Sequence, residues 1–195
     1  AYGIETVWVN FDLNAVNEKT LLDVEQVITH PGYHWGPTSN PRDVAVLILK
    51  KPVKGKKVTP ANLPEEGFLD QLLAEGRLRE GSDGAAFVKV GYGGMLDWPP
   101  PDIYYEDERR VAESEYVTLL KAWLRLSQNR ATNDGGTCFG DSGGPAFWRE
   151  PDGTEILVSL TSWGDAQCVA SGFDYRVDIA DTLDFIEDVI AGLDE

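Results

Sequence analysis

Positive charge is scarce in this chain. Its 195 residues carry 17 Lys+Arg against 33 Asp+Glu, a net charge of −16. Nucleic acid and anionic membrane faces are read by basic patches, so this balance argues against both as partners. No apolar run reaches the 18 or so residues that a membrane-crossing helix needs. The opening residues Ala1-Tyr2-Gly3-Ile4-Glu5 lack the charged start and apolar stretch of a secretory leader. An exported form would carry its address upstream. Histidine occurs only twice, as His30 and His34, and cysteine only twice, as Cys138 and Cys168. The two cysteines form no Cys-x-x-Cys and have no histidine nearby, which does not suit zinc. Apolar residues are not scarce. At 42%, with 10% aromatic, they are too many for a disordered acidic chain and enough for a core. Twenty glycines and 11 prolines favour a turn-rich all-β protein over a helical bundle.

Strand-like runs recur between turn signals. They are Ile4–Val9, Leu21–Thr29, Val44–Leu49, Ala85–Val90, Trp123–Leu126, Ile156–Trp163 and Phe173–Val177. Lys50–Pro64, with its prolines and lysine cluster, reads as a connecting segment with solvated lysines. Met95–Glu108, with three consecutive prolines and many acids, reads as an exposed, mobile loop. Phe68, Leu69, Leu72 and Leu73 have helical spacing, with Gly76 as a stop. Ile179, Leu183, Ile186, Val189 and Ile190 predict a C-terminal helix, started by Asp178 or Asp181 and ended by Gly192. No internal repeat is visible.

Gly140-Asp141-Ser142-Gly143-Gly144-Pro145 is the most specific segment. Its glycines free the backbone for unusual dihedrals and leave amide N–H groups available. Such a turn can present a serine hydroxyl and two donors to one point. Acyl transfer needs that combination: a nucleophile, and donors where negative charge develops. In α/β-hydrolases a helix follows the serine, and the acid and histidine come later in the chain. Here Pro145-Ala146-Phe147-Trp148 runs straight to the turn Arg149–Gly153, and both histidines precede Ser142. That order excludes the hydrolase arrangement.

The hexapeptide resembles the nucleophile motif of trypsin-like serine endopeptidases. Asp43-Val44-Ala45-Val46-Leu47-Ile48 is similar to that family's buried acid and its strand. Ser162-Trp163-Gly164 resembles its substrate-pairing strand, and Gly91-Tyr92-Gly93 its strand-ending Gly-aromatic-Gly. Trp123-Leu-Arg-Leu-Ser and Tyr175-Arg-Val-Asp look most like secreted microbial members. The resemblance covers essentially the whole chain. It implies an all-β fold of two six-stranded antiparallel β-barrels, the first incomplete, with a C-terminal helix. In a single peptidase domain over 1–195, residues 1–60 would be the rest of the first barrel, 61–180 the second, and 181–192 the helix.

Spacing is a further check. In trypsin-like triads the acid precedes the serine by about 93 positions, and the histidine precedes the acid by about 45. Asp43 and Ser142 are 99 positions apart. The histidine would fall upstream of Ala1, so the chain is expected to begin just after its catalytic base. The full-length product would supply that base, and the chain taken literally would be nearly inactive. His30, in the turn His30-Pro31-Gly32-Tyr33, and His34 are read as turn residues rather than substitutes.

By the same resemblance, Asp43 and Ser142 are catalytic, and the amides of Gly140 and Ser142 form the oxyanion hole. Gly136 is at the pocket base with Thr137 beside it, and Ser162, Trp163, Gly164 and Gly172 line the walls. Trypsins place an Asp at the base to hold Lys or Arg. Gly136 leaves no such charge, which implies apolar or aromatic specificity, and the wall glycines leave room for a large side chain. Asp174 leaves an alternative open, since a two-residue shift would point a carboxylate into the pocket. Cys138 and Cys168 are implied to be bridged, and a bridge implies export; two buried thiols are the alternative. Asp141 is the acid that in this family commonly pairs with a freed N-terminal amine. Tyr105-Glu106-Asp107-Glu108 reads as a solvated loop rather than a calcium site. Trp8, Trp35, Trp98 and Trp148 are read as packing residues.

The implied protein is a secreted, monomeric, cofactor-free and metal-free endopeptidase acting on proteins or peptides through an acyl-enzyme. The alternative is an inactive homologue that binds or scaffolds.

Overall fold

The computed structural model describes residues 6–14, 18–36, 38–53, 58–81, 86–97 and 102–193. Six strands close into an antiparallel barrel: β4 (Ala86–Gly91), β7 (Arg110–Leu119), β8 (Trp123–Ser127), β9 (Pro145–Arg149), β10 (Glu155–Gly164) and β11 (Ser171–Arg176). Their order around the barrel is β10-β11-β8-β7-β4-β9. Ahead of it, β1 (Trp8–Val9), β2 (Leu22–Thr29) and β3 (Ala45–Leu49) form a three-stranded antiparallel sheet. The fold is that of the chymotrypsin class, mostly β, with two α-helices among the described residues.

Alternation explains the barrel. In Trp123–Ser127, Leu124 and Leu126 point inward and are buried, while Trp123 and Arg125 point outward. They join Phe87, Tyr116, Ala146, Trp148 and Val158, and helix α1 (Phe68–Ala74) closes one end with Leu69 and Leu72. A second cluster of Val44, Ala122, Tyr175 and Phe185 lies where the three-stranded sheet, the barrel and helix α2 (Ala180–Ala191) meet.

Two barrel strands escaped the periodicity reading. β9 starts on Pro145, a residue that a strand accepts at its first position, and buries Ala146 and Trp148 in alternation. β7 hides its pattern behind charge: Glu113 faces out between half-buried Ala112 and buried Ser114. The segment read as a mobile loop instead carries a hairpin, β5 (Met95–Asp97) paired with β6 (Asp102–Tyr104). Trp98 and the three prolines lie outside the described residues, as do Ile4, Glu5 and the lysines at 54, 56 and 57.

The start of the C-terminal helix is not capped as expected. Ile179 is the N-cap of α2 and makes no side-chain cap. Asp178 instead serves α1: its Oδ2 accepts from the Leu69 N–H at 2.8 Å, and its backbone carbonyl from Gly67 at 2.8 Å. The same carboxylate is held in a bidentate pair by buried Arg176. Gly76 does end α1, at φ +70, a conformation glycine adopts without Cβ strain. Trp8 and Trp35 are exposed rather than packed, Trp35 to 86%.

Candidate active site

The acid is delivered by a stitched loop. Asn40 Oδ1 accepts from the Arg42 N–H, and the Pro41 carbonyl accepts from the His34 N–H. Arg42 adopts a left-handed φ of 55° and pairs through Nε with Asp181 at 2.9 Å. The next residue, Asp43, enters β3 half-buried. His30 begins this loop, yet its ring is buried against Phe185, with centroids 4.9 Å apart. Its Nδ1 accepts from the Gly32 N–H. His34 is exposed, and neither histidine bonds to Asp43 or Ser142.

Ser142 stands on a tight turn closed by the Gly144 N–H donating to the Asp141 carbonyl at 2.8 Å. Gly143, at φ +79, supplies the conformation that such a turn requires. Ser142 is exposed. Thr161 of β10 fastens the turn: its carbonyl accepts from the Gly143 N–H and its N–H donates to the Gly144 carbonyl, both at 2.8 Å. The next residue, Ser162, sits at a β-bulge where the β10–β11 register shifts between Thr161 and Trp163. Its Oγ donates to Asp43 Oδ2 at 2.5 Å. Ser162, expected in the pocket wall, thus bonds the acid. Thr161 and Ser162 together tie the serine turn to Asp43 across 99 positions of sequence.

Asp141 braces the turn from beneath. Its carboxylate accepts from the Gly93 N–H at 2.8 Å and the Cys138 N–H at 2.9 Å. A β-carbon on Gly91 would stand 1.8 Å from Asp141 Oδ1, and one on Gly93 2.4 Å from its Cγ. The Gly-aromatic-Gly string is therefore the seat of this carboxylate. A cavity of about 520 Å³ adjoins it, lined by Lys89, Arg110, Asp134, Gly136 and Cys138 among others. Ser142 and Gly164 do not line it.

Cys138 and Cys168 are bridged, which ties the segment before the serine to the loop after β10. Asp165 shapes that loop by accepting from the N–H groups of Gln167, Val169, Ala170 and Ser171. Burial pushes its carboxyl up, but these four donors outweigh it and hold the group below the ordinary value of 3.8. Trp163 is 52% exposed and lies flat on Phe173 at 3.8 Å.

Asp174 does not point an open carboxylate into the pocket. It is fully buried, ion-paired with Lys89 and bonded by Ser159 Oγ at 3.2 Å. The space that Gly136, Gly164 and Gly172 leave is not empty. It holds Gln128, which sequence reasoning passed over because a glutamine after a strand carries no motif. Its amide nitrogen donates to the Thr137 carbonyl at 2.6 Å. Among the described residues, no His/Cys/Asp/Glu group could hold a metal ion, and Glu106 and Glu108 pair with Arg110. No helix among them is long and apolar enough to cross a membrane.

A closed antiparallel barrel whose glycine-rich serine turn is laced to a half-buried aspartate defines the class of trypsin-like serine proteases. The trypsin family model matches residues 5–186, and the chain belongs to that family. It is 30% identical over 160 residues to vitamin K-dependent protein C of Equus caballus, covering 76% of this chain and 93% of that one. It is 28% identical to CLIP domain-containing serine protease B15 of Anopheles gambiae, covering 86% of this chain but 46% of the relative. Venom serine protease 34 of Apis mellifera is also 28% identical, over 78% of this chain and 36% of the relative. These relatives are animal proteins, so the expected likeness to microbial members finds no support.

Proposed function

We propose that the protein is a secreted serine endopeptidase, acting as a monomer on protein or peptide substrates. Ser142 Oγ attacks the scissile carbonyl carbon, and a general base takes its proton. The Gly140 and Ser142 N–H groups meet the oxyanion. The amine leaves with a proton from the base, and water then hydrolyses the acyl-enzyme. Asp43 orients the base and offsets its positive charge. The base is a histidine contributed by the full-length protein ahead of Ala1, because His30 and His34 are engaged elsewhere or turned to solvent. Primary specificity is non-basic: Gly136 carries no charge, and Asp174 is neutralised by Lys89.

The observation that supports this reading most is the lacing of the Ser142 turn to Asp43 through Thr161 and Ser162. A fluorescent peptidyl phosphonate should label the full-length protein, and Ser142→Ala should abolish the label. A folded full-length sample that takes no label would point to an inactive homologue that binds rather than cleaves. Sequencing the upstream coding region tests the base directly, since a residue other than histidine there would remove it.

A further inference from the structure

The side chain of Gln128 runs into the space between Gly136, Thr137, Gly164 and Gly172. A β-carbon on Gly136 would lie 2.2 Å from Gln128 Cγ, one on Gly172 3.4 Å from Nε2, and one on Gly164 3.7 Å from Oε1. The three glycines expected to open the primary pocket thus surround one glutamine of the chain itself. Gln128 is 4% exposed. Its amide is fixed end to end, because the Thr137 carbonyl takes only a donor and so holds Nε2. Oε1 is buried and has no hydrogen-bond partner among the described residues. An unpartnered buried acceptor costs stability, which an apolar side chain of the same bulk would not. The donor end braces the Thr137 carbonyl, and the acceptor end is left over beside Gly164.

We propose that Gln128 is the specificity-determining residue of the primary pocket. It fills the pocket's depth, so that the site takes a small side chain, from alanine to valine, ahead of the scissile bond. This deepens, and rests on, the serine-endopeptidase reading, and it narrows the apolar or aromatic preference to its small end. An aromatic ring and Gln128 would need the same space between Gly136 and Gly172. A long basic side chain would need that space as well.

The test uses the full-length protein and peptide anilides that differ only in the residue before the scissile bond. Wild type should cleave the Ala substrate at least tenfold faster than the Phe substrate in kcat/KM. Gln128→Ala should raise the Phe-to-Ala ratio at least tenfold. Gln128→Met, which keeps the bulk, should leave that ratio near wild type. A wild type that cleaves Phe as fast as Ala, or a ratio unmoved by Gln128→Ala, overturns the proposal. A second arm needs no catalysis. In a Ser142→Ala background, benzamide binding followed by NMR should be absent with Gln128 and present with Gln128→Ala. Benzamide bound among Gly136, Gly164 and Gly172 with Gln128 in place overturns the proposal even if the truncated variant fails to fold. Loss of all cleavage and phosphonate labelling would instead sink the endopeptidase reading, leaving the benzamide arm to decide the pocket.

Discussion

Gln128 and Gly136 exclude one another's growth: a β-carbon on Gly136 would stand 2.2 Å from Gln128 Cγ and 2.3 Å from Nε2. Gly136→Ala should therefore overpack the site and cost about 1–3 kcal/mol. In a Gln128→Ala background the same change should cost little, giving a coupling of similar size. Urea denaturation of the four proteins in the cycle measures it. Additive losses would show that the two side chains do not share the space.

Lys89 and Asp174 are both buried inside the barrel, ion-paired across β4 and β11. Lys89→Met leaves an uncompensated carboxylate and should destabilise by about 3–5 kcal/mol. The double change Lys89→Met with Asp174→Leu should recover most of that loss. Equal instability of single and double variants would assign the effect to packing rather than charge.

Replacing both cysteines of the Cys138–Cys168 bridge by alanine frees a segment of 30 positions in the unfolded chain. Chain entropy puts the cost at about 3–4 kcal/mol. The melting temperature of the double variant, compared with that of the bridged wild type, checks it. A loss below about 1 kcal/mol would mean that the loop is already constrained by Asp165.

Asp165 gives the pH dependence. Its carboxyl titrates below the ordinary 3.8 in the folded protein, because four backbone donors favour the charged form. The unfolded state therefore binds the proton first. The group's stabilising contribution is complete above the ordinary value and is lost as pH falls through the lower, folded one. Asp165→Asn should flatten that acid limb of melting temperature against pH while lowering stability at pH 7. An unchanged acid limb would remove Asp165 as its source.

Much of the fold was legible because alternation survives in the apolar strands, as in Trp123–Ser127. It failed where charge or proline masked it, in Arg110–Leu119 and Pro145–Arg149. The glycine-serine turn stood out by its own composition, whereas Asp43 and the bridge between Cys138 and Cys168, which is present, were reached only through the resemblance to the family. Two features were not legible. The bond from Ser162 to Asp43 was hidden, because the bulge that aims the hydroxyl depends on how β10 and β11 pair. Gln128 was silent because a side chain filling a space made by three distant glycines leaves no local pattern. Asp178 was placed at the wrong helix for a similar reason, since its partner N–H belongs to Leu69, 109 positions earlier.

The bulge at Ser162 also makes strand alignment a single point of failure. Thr161 and Ser162 are consecutive, and they face opposite tasks. A one-residue slip of β10 would send the Ser162 side chain to the other face and carry the Thr161 N–H and carbonyl out of line with the serine turn. The serine turn and the aspartate would then lose their fastenings in the same event. A deletion at this point should leave a barrel without a half-working site, since nucleophile and acid come into place together or not at all.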